Sequence, residues 1–328
     1  MRVFRTLEEA AAGVAASVAS VGNFDGVHRA HRRILDAVRA EARALGCSAV
    51  AVTFEPHPSR ILRPDAAPPL ISPGAERLRL LAAAGLDALL LLPFSRDLSL
   101  WTPREFAARV LVGALKARAV HEGDAFRFGR RQAGDAATLE ALGRELGFAV
   151  RLHPPLRVGG APVSSSRVRA LVAAGDLALA RRLLGRPFAV RGLTAPGRGV
   201  GRARTVPTLN LQHYEELLPG RGVYLTCVRL ESAGAAGAAW LPALTNVGVR
   251  PTFGAGGALT VETHVLAPPE SLLAAGPAVP LELRFLRRLR DERRFDSPEA
   301  LKRQIEADRR LAERYFARLR FLAVPGRE

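Results

Sequence analysis

The chain has 328 residues, of which 48% are apolar and 24% are charged; this length predicts two domains, and this composition excludes a largely disordered protein. Its formal net charge is +17, and the charge comes almost wholly from arginine, because only two of the 48 basic residues are lysines. Such a charge permits anionic ligands, but no run of five basic residues and no zinc-finger pattern indicates nucleic acid.

The first half of the chain alternates strand-like and helix-like segments. Apolar strands are predicted at residues 17–24, 48–54 and 87–94. A helix is predicted over residues 29–45 and stops at Gly46, with one apolar face formed by Ile34, Leu35, Val38, Ala42 and Leu45. Thr102 to Glu105 form a predicted capping box at the start of a later helix. This alternation predicts an α/β fold with a mostly parallel sheet covered on both faces, and sites at the carboxyl ends of its strands.

The second half changes in character after about residue 185. Short β-rich segments separated by glycine and proline run from Phe188 to Arg290 and predict an antiparallel barrel or sandwich, with a hairpin loop at residues 231–239. A long final helix is predicted to begin at Ser297, its N-cap, followed by Pro298. Its packed stripe is predicted to consist of Leu301, Ile305, Leu311, Tyr315 and Leu319.

Neither membrane insertion nor secretion is expected. The longest nearly pure apolar run, residues 86–94, is too short to span a bilayer, and Glu8 and Glu9 interrupt any signal-peptide core. We therefore expect a cytoplasmic protein without a membrane partner. Cys47 and Cys227 lie far apart inside apolar stretches, which predicts two buried thiols rather than a disulfide or a metal site.

Two of the seven histidines, His28 and His31, stand three residues apart where the first predicted strand leads into a helix. At this spacing they share one face of the first helical turn, where free backbone N–H groups and the helix dipole attract anions. The pair is therefore a candidate for binding phosphates. A fragment of a metal site and two solvated histidines are the alternatives, although no compact Cys/His cluster supplies further ligands.

Three other polar segments are ambiguous when taken alone. The proline-flanked His57 fits a rigid loop, and the serines at residues 164–166 fit a helix cap. The glycine-rich residues 197–211 fit a flexible turn as well as a phosphate-binding loop. Glu262 alternates with its neighbours in the way of a surface residue on a barrel strand, although a carboxylate can also serve as a general base.

Several motifs, in order along the chain, together resemble one family. They are GNFDGVHRAH (22–31), TFEPHP (53–58), FRFG (126–129) and VSSSRVRALVAAGDLALARRLLGRPF (163–188), followed by PTLN (207–210), GVY (222–224), TNVGVRPTF (245–253), VETHVL (261–266) and LRDERRFDSPEALKRQIEADR (289–309). This series resembles the bacterial bifunctional riboflavin kinase/FAD synthetase family and covers nearly the whole chain.

The resemblance implies a Rossmann-like nucleotidyltransferase domain over residues 1–184 and a β-barrel riboflavin kinase domain with a C-terminal helix over residues 185–328. It implies phosphorylation of riboflavin to FMN by ATP, and then adenylylation of FMN to FAD with release of pyrophosphate. Mg²⁺ would accompany ATP. We expect riboflavin, FMN and ATP as the ligands, no nucleic-acid partner, and a monomer or a weak homo-oligomer.

In the first domain the resemblance implies catalytic roles for His28, His31 and Arg167. It implies ATP-binding roles for Gly22, Phe24, Asp25, Gly26, Ser164, Ser165 and Ser166. Pro56, His57 and Pro58 would line the flavin pocket.

In the second domain the resemblance implies that Glu262 is the base acting on the ribityl hydroxyl of riboflavin. ATP would contact Gly201, Arg202, Thr208 and Asn210, and the last two of these would also hold Mg²⁺. Asn246 and Arg250 would bind the flavin.

Several positions depart from the family pattern. Ala30 and Thr205 replace glycines, Ala125 replaces an Asp or Asn, and Arg204, Val206 and Leu209 are also not the usual residues. These departures keep open a diverged paralogue that retains one activity or acts on a modified flavin. The positive charge keeps open a flavin- or nucleotide-binding regulator, for which steep salt dependence of DNA binding would be the mark.

Overall fold

The structure, a computed structural model, describes residues 1–195, 209–212, 214, 216–231, 239–249, 259–268, 278–293 and 295–319. The chain divides into two compact units, Met1–Ser165 and Ser166–Glu328. No helix in these described ranges combines the length and the apolar character that crossing a membrane requires.

The first unit is built on a six-stranded parallel sheet, as predicted. Its strands are β1 (Arg2–Phe4), β2 (Ser17–Val21), β3 (Ser48–Glu55), β4 (Ala88–Pro93), β5 (Ala117–Gly123) and β6 (Ala149–His153), and their spatial order is β1-β4-β3-β2-β5-β6. A short hairpin of β7 (Arg157–Val158) and β8 (Ala161–Pro162) follows. The three predicted strands correspond to β2, β3 and β4, each rich in buried residues.

Helices connect these strands and cover both faces of the sheet. They are α1 (Leu7–Gly13), α2 (Arg29–Ala44), α3 (Pro58–Leu62), α4 (Gly74–Ala82), α5 (Arg96–Ser99), α6 (Pro103–Phe106), which continues as a π-helix (Ala107–Ala114), and α7 (Ala136–Leu146), with 3₁₀ turns at Pro64–Ala66 and Arg130–Gln132. The capping box is confirmed, since Thr102 accepts from the Glu105 amide and Glu105 accepts from the Thr102 amide. One apolar core lies on each face of the sheet, and Leu35, Val38 and Ala42 of α2 enter one of them.

The strand order changes direction next to β2. From β2 the chain adds β3 and β4 on one side, whereas β5 and β6 lie on the other. The β2–β5 pairing covers Ser17, Val18 and Ala19 and ends there, so the two strands separate toward their carboxyl ends. A crevice at such a switch point is where open α/β sheets bind ligands.

The second unit contains a closed antiparallel barrel, so the barrel alternative is correct and the sandwich is not. Its strands are β9 (Phe188–Ala195), β10 (Leu209–Gln212), β11 (Gly222–Leu230), β12 (Leu241–Val249), β13 (Leu259–Val265) and β14 (Pro280–Arg290), arranged in the ring β10-β13-β12-β11-β14-β9. Helices α8 (Ser165–Ala174) and α9 (Leu177–Leu184) precede it, and α10 (Pro298–Leu319) follows it. Consecutive strands β11 and β12 pair as a hairpin, although residues 232–238 of the predicted loop lie outside the described residues.

The two surfaces of the barrel wall are distinguished by α10. Leu225 and Leu244 pack with Ala312 and Phe316 of that helix and therefore face outward. The neighbouring Thr226, Thr245 and Thr263 alternate to the inside, where their hydroxyls form a chain with oxygen–oxygen distances of 2.8 and 2.9 Å. A line of three hydrogen-bonded threonines thus joins β11, β12 and β13 within the barrel.

The predicted stripe on α10 is wrong in three positions. Leu301, Leu311 and Leu319 are exposed, Ile305 and Tyr315 are half-buried, and the buried residues are Asp308, Ala312 and Phe316. Asp308 forms an ion pair with Arg290 of β14, with a nitrogen–oxygen distance of 2.8 Å. This ion pair lies on the same buried face of the helix as Ala312 and Phe316. The predicted cap is confirmed, because Ser297 Oγ accepts from the Ala300 amide at 3.1 Å.

Both cysteines are free thiols. Cys227 is buried as predicted, but Cys47 is only half-buried, because it follows the end of α2 just before β3. Burial raises the pKa of the Cys227 thiol to about 11, which keeps it protonated at neutral pH.

Candidate functional site

The predicted histidine pair lies where β2 leads into α2. His28 is the N-cap of α2, and its Nδ1 accepts from the His31 amide at 3.3 Å. The two imidazole rings stack at a centroid distance of 3.6 Å, and Phe24 meets the His31 ring edge-on at 5.2 Å. The structure therefore brings both histidines to the first turn of a 16-residue helix, where backbone N–H groups favour anions.

The turn before this helix has a strained backbone. Phe24, Gly26 and Val27 have φ angles of 48°, 83° and 36°. Positive φ is unusual for phenylalanine and costly for a β-branched valine, and each such residue costs of order 1–3 kcal/mol. Strain of this kind clusters at functional sites, so it supports a functional role for this turn.

His31 provides an unsatisfied ring nitrogen. Its Nδ1 is buried and has no hydrogen-bond partner in the described part of the chain. Burial of the ring, and secondly the nearby His28, lower the pKa of His31 well below its usual value. The ring is therefore neutral at neutral pH until an anion stabilises its charged form.

Asp25 turns its carboxylate toward a neighbouring loop. Asp25 Oδ1 accepts from the amides of Ile71 and Ser72 at 3.0 and 2.9 Å, and the Gly26 amide donates to Ser72 Oγ at 2.7 Å. Asp25 thus fixes the shape of the turn, and its predicted contact with ATP stays a prediction. Gly22 lies just before the turn, and its amide donates to the Val52 carbonyl of β3.

The serine segment reaches the same turn through Ser165, whose hydroxyl donates to the Asp25 carbonyl at 2.9 Å. Ser164 precedes it. Ser166 and Arg167 stand on α8 and belong to the second unit. Among the predicted serines, Ser165 contacts this turn.

The predicted flavin-pocket residues, Pro56, His57 and Pro58, follow β3. His57 is buried and caps α3: its Nδ1 accepts from the Ser59 amide at 3.2 Å and lies 2.8 Å from Ser59 Oγ. Pro58 occupies the first turn of α3. Because β2 and β3 are parallel neighbours, the loop at residues 56–58 emerges from the same edge of the sheet as residues 23–31, which we call the histidine turn.

Sequence reasoning missed Arg77, a buried arginine on α4. It donates to the carbonyls of Asn23 and Phe54 and pairs with Glu55. The available signal was its position three and four residues before the buried Leu80 and Leu81, on the apolar face of the helix.

Sequence reasoning also missed Glu122, which lies on β5 in the crevice beside β2. Glu122 Oε1 accepts from the Val21 amide at 2.5 Å, beyond the last β2–β5 pair. Burial raises the pKa of Glu122 well above its usual value, opposed by hydrogen bonds from Val21 and Ser20. A glutamate inside an otherwise buried strand was the available signal.

The residues Ala30 and Ala125, which depart from the family pattern, differ in how deeply they are buried. Ala30 is half-buried in the first turn of α2, and Ala125 is exposed just after β5. Thr205 lies outside the described residues.

The barrel aligns three of the predicted kinase residues. Asn210 of β10 and Asn246 of β12 both pair directly with Glu262 of β13. Directly paired residues point to the same side of a sheet, and the inward Thr245 and Thr263 are their immediate neighbours, so this row faces outward. Gly201, Arg202, Thr208 and Arg250 lie outside the described residues. Within the described part, no group of three or more His, Cys, Asp or Glu residues could hold a metal ion.

Comparison with known proteins identifies both halves of the sequence. The FAD synthetase family model matches residues 12–167, and the riboflavin kinase model matches residues 184–316. A bifunctional riboflavin kinase/FMN adenylyltransferase from Pseudomonas fluorescens is 37% identical over 309 residues, covering 94% of each chain.

A protein of the same name from Escherichia coli K12 is 36% identical over 299 residues, covering 91% of this chain and 92% of that one. The crystal structure of a macrolide-efflux protein from Streptococcus pneumoniae superposes with a TM-score of 0.81 at 26% identity, covering 95% of this chain and 99% of that one.

Proposed function

The chain belongs to the family of bifunctional riboflavin kinase/FMN adenylyltransferases, and on this premise we propose which residues carry its two reactions. As a member, it is a transferase that phosphorylates riboflavin to FMN and adenylylates FMN to FAD. We assign adenylyl transfer to the histidine turn of the first unit and phosphoryl transfer to the outward row of the barrel.

The stacked pair of His28 and His31 at the start of α2 carries the first assignment. A phosphate oxygen of FMN attacks the α-phosphorus of ATP, the bond to the β-phosphate oxygen breaks, and pyrophosphate leaves. The two imidazoles and the helix N-terminus stabilise the negative charge of the polyphosphate. Arg167 and the serines of residues 164–166 would contact the phosphates, and Gly22, Phe24, Asp25 and Gly26 would shape the ATP site.

The proline loop supports the flavin assignment in the first unit. Pro56, His57 and Pro58 follow the strand next to β2, so FMN held there would face ATP across the ends of two adjacent strands. Positioning of this kind supplies most of the catalysis when no covalent enzyme intermediate is formed.

In the barrel, Glu262 lies in direct register with Asn210 and Asn246. We assign Glu262 as the base that accepts the proton of the riboflavin hydroxyl while that oxygen takes the γ-phosphoryl group and ADP leaves. Asn246 and Arg250 would bind the flavin, and Gly201 and Arg202 the phosphates.

Mg²⁺ fits the donors of this row. The amide oxygen of Asn210 and the carboxylate of Glu262 are hard oxygen ligands, and so is the hydroxyl of Thr208, which lies outside the described residues. Asn210 and Thr208 would hold the ion, which neutralises phosphate charge when bound.

We further propose a functional boundary between residues 184 and 185, supported by the riboflavin kinase match that begins at residue 184. We propose a cytoplasmic monomer or weak homo-oligomer that binds riboflavin, FMN and ATP without a nucleic-acid partner.

A reciprocal pair of variants tests the assignment. His28→Ala should make FMN from riboflavin but no FAD, and Glu262→Gln should make FAD from supplied FMN while its kinase rate falls about 10²- to 10⁴-fold. The measurement is chromatography of the flavins after incubation with Mg-ATP. Equal loss of both activities in either variant would contradict the separation of the two sites.

A further inference from the structure

Arg77 is a charged side chain in an apolar setting. Its side chain is 1% exposed, and it shares the buried face of α4 with Leu80 and Leu81. Its Nε has no hydrogen-bond partner in the described part of the chain, so the partners of its two Nη atoms carry the contacts of this buried charge.

Those partners come from two neighbouring strand ends. Arg77 Nη1 donates to the Asn23 carbonyl at 3.2 Å, and Nη2 donates to the Phe54 carbonyl at 2.8 Å. Nη2 also pairs with Glu55 Oε2 at 2.5 Å. Asn23 begins the histidine turn, whereas Phe54 and Glu55 lead into the proline loop.

The Arg77 guanidinium connects the segments that follow β2 and β3 where the backbone hydrogen bonds between these two strands end. The Gly22 amide still donates to the Val52 carbonyl at 3.0 Å, and Thr53 Oγ1 donates to the Asn23 carbonyl at 3.2 Å. Beyond them, the Arg77 side chain contacts both segments. A planar guanidinium holds its acceptors at fixed separations, which a flexible ammonium cannot do.

Asp25 ties the same helix to the histidine turn at a second point. Its carboxylate binds the amides of Ile71 and Ser72, which lie three and two residues before α4 begins at Gly74. Burial lowers the pKa of Arg77, while the Glu55 and Asp25 carboxylates oppose this effect.

We propose that Arg77 is a positioning residue for adenylyl transfer, which fixes the separation of the histidine turn from the proline loop. It thereby fixes the distance between the α-phosphorus of ATP and the attacking FMN phosphate. The inference rests on the proposed assignment of those two segments to ATP and to FMN.

The test compares Arg77→Met and Arg77→Lys with a matched control, Arg79→Met. Arg79 is two residues along the same helix, is 46% exposed, and pairs with Glu76 at 2.8 Å. Arg77→Met should lower the kcat for FAD formation about 100-fold, because a displacement of about 1 Å between reacting groups has this effect. The KM values for FMN and ATP should change little.

Arg77→Lys should recover part of the kcat, because one ammonium can replace only some of the contacts. The kinase rate of each full-length variant should stay at the wild-type value, and Arg79→Met should match wild type in both reactions. Near-UV circular dichroism checks folding. Should Arg77→Met not fold, the folded Arg77→Lys variant decides the question by its kcat.

A kcat equal to that of Arg79→Met in the folded variants overturns the proposal, as does a rise in KM at unchanged kcat. His28→Ala, measured in the same series, separates the two levels of inference. FAD formation by His28→Ala contradicts the site assignment itself, whereas its loss together with normal Arg77 variants contradicts only the positioning role.

Discussion

Two buried ionisable side chains flank the end of β2 on opposite sides. Arg77 connects the residues after β2 to β3, and Glu122 of β5 binds the Val21 amide. The β2–β5 pairing ends at Ala19, so Glu122 binds an amide that the β5 backbone no longer pairs. The β2–β3 pairing continues through Val21, and Arg77 binds carbonyls just beyond it. The crevice that parallel-sheet enzymes use for ligands is thus supported here by side chains.

Glu122 makes the stability of the first unit depend on pH. Its raised pKa means that the folded state favours the protonated acid, so its stabilisation is complete below the pKa of the unfolded chain and is lost as pH rises through the folded pKa. Glu122→Gln cannot ionise. Above about pH 4.3, the unfolding free energy of Glu122→Gln should rise relative to that of wild type by about 1.4 kcal/mol per pH unit. This rise should stop once the pH passes the raised pKa of Glu122 in the folded state.

The measurement is urea unfolding at several pH values, followed by Trp101 fluorescence in a Trp240→Phe background. Glu140→Gln, an exposed glutamate on α7, is the control and should parallel wild type. If the difference in unfolding free energy between Glu122→Gln and wild type stayed constant across this pH range, it would contradict the inference that Glu122 is buried as the neutral acid.

Single residues differ in how far the sequence could predict them. His28 and His31 are three residues apart, so their shared helical turn follows from spacing alone. The partners of Arg77 lie 22 to 54 residues away, and those of Glu122 lie about a hundred residues away. Contacts at such separations depend on strand order, which local patterns do not contain.

At the scale of elements, an ion pair joins α10 to β14. Asp308 is buried, pairs with Arg290, and accepts a hydrogen bond from the Gln304 side-chain amide at 2.7 Å. Asp308→Ala leaves the charge of Arg290 without its partner at the barrel surface, so the second unit should lose about 3 kcal/mol of unfolding free energy. Urea unfolding followed by Trp240 fluorescence in a Trp101→Phe background measures this loss.

Glu313→Ala is the matched control on the same helix. Its carboxylate lies 3.7 Å from Arg309 and is 51% exposed, so its removal should cost under about 0.5 kcal/mol. Equal effects of the two substitutions would show that α10 is held by its apolar contacts alone.

Helices and strands could be predicted from the sequence where the spacing of apolar residues and the capping residues indicate the same element. The strands β2, β3 and β4 and the capping box at Thr102 follow from local composition, and the structure confirms them. The buried face of α10 did not follow, because leucines are distributed around the helix and a carboxylate occupies its centre. Apolar residues indicate a helix, but a buried aspartate can decide which side packs.

At the scale of the whole molecule, both reactions use ATP in separate units, so both should need Mg²⁺. Mg²⁺ is usually held by substrate phosphates with one or two protein ligands. EDTA should therefore stop FMN and FAD formation, leave the thermal midpoint of the ligand-free chain unchanged, and be reversed by added Mg²⁺. A midpoint lowered by EDTA alone would instead indicate a resident structural ion.

The ring of barrel strands has a consequence for aggregation. Every barrel strand is paired on both sides, so this part of the second unit offers no unpaired strand edge to another chain. The sheet of the first unit does have edges, at β1 and β6, and each carries an exposed arginine, Arg2 and Arg151. Charged side chains on edge strands oppose strand addition. Arg2 and Arg151 therefore oppose the joining of another copy at the two edges of this six-stranded sheet.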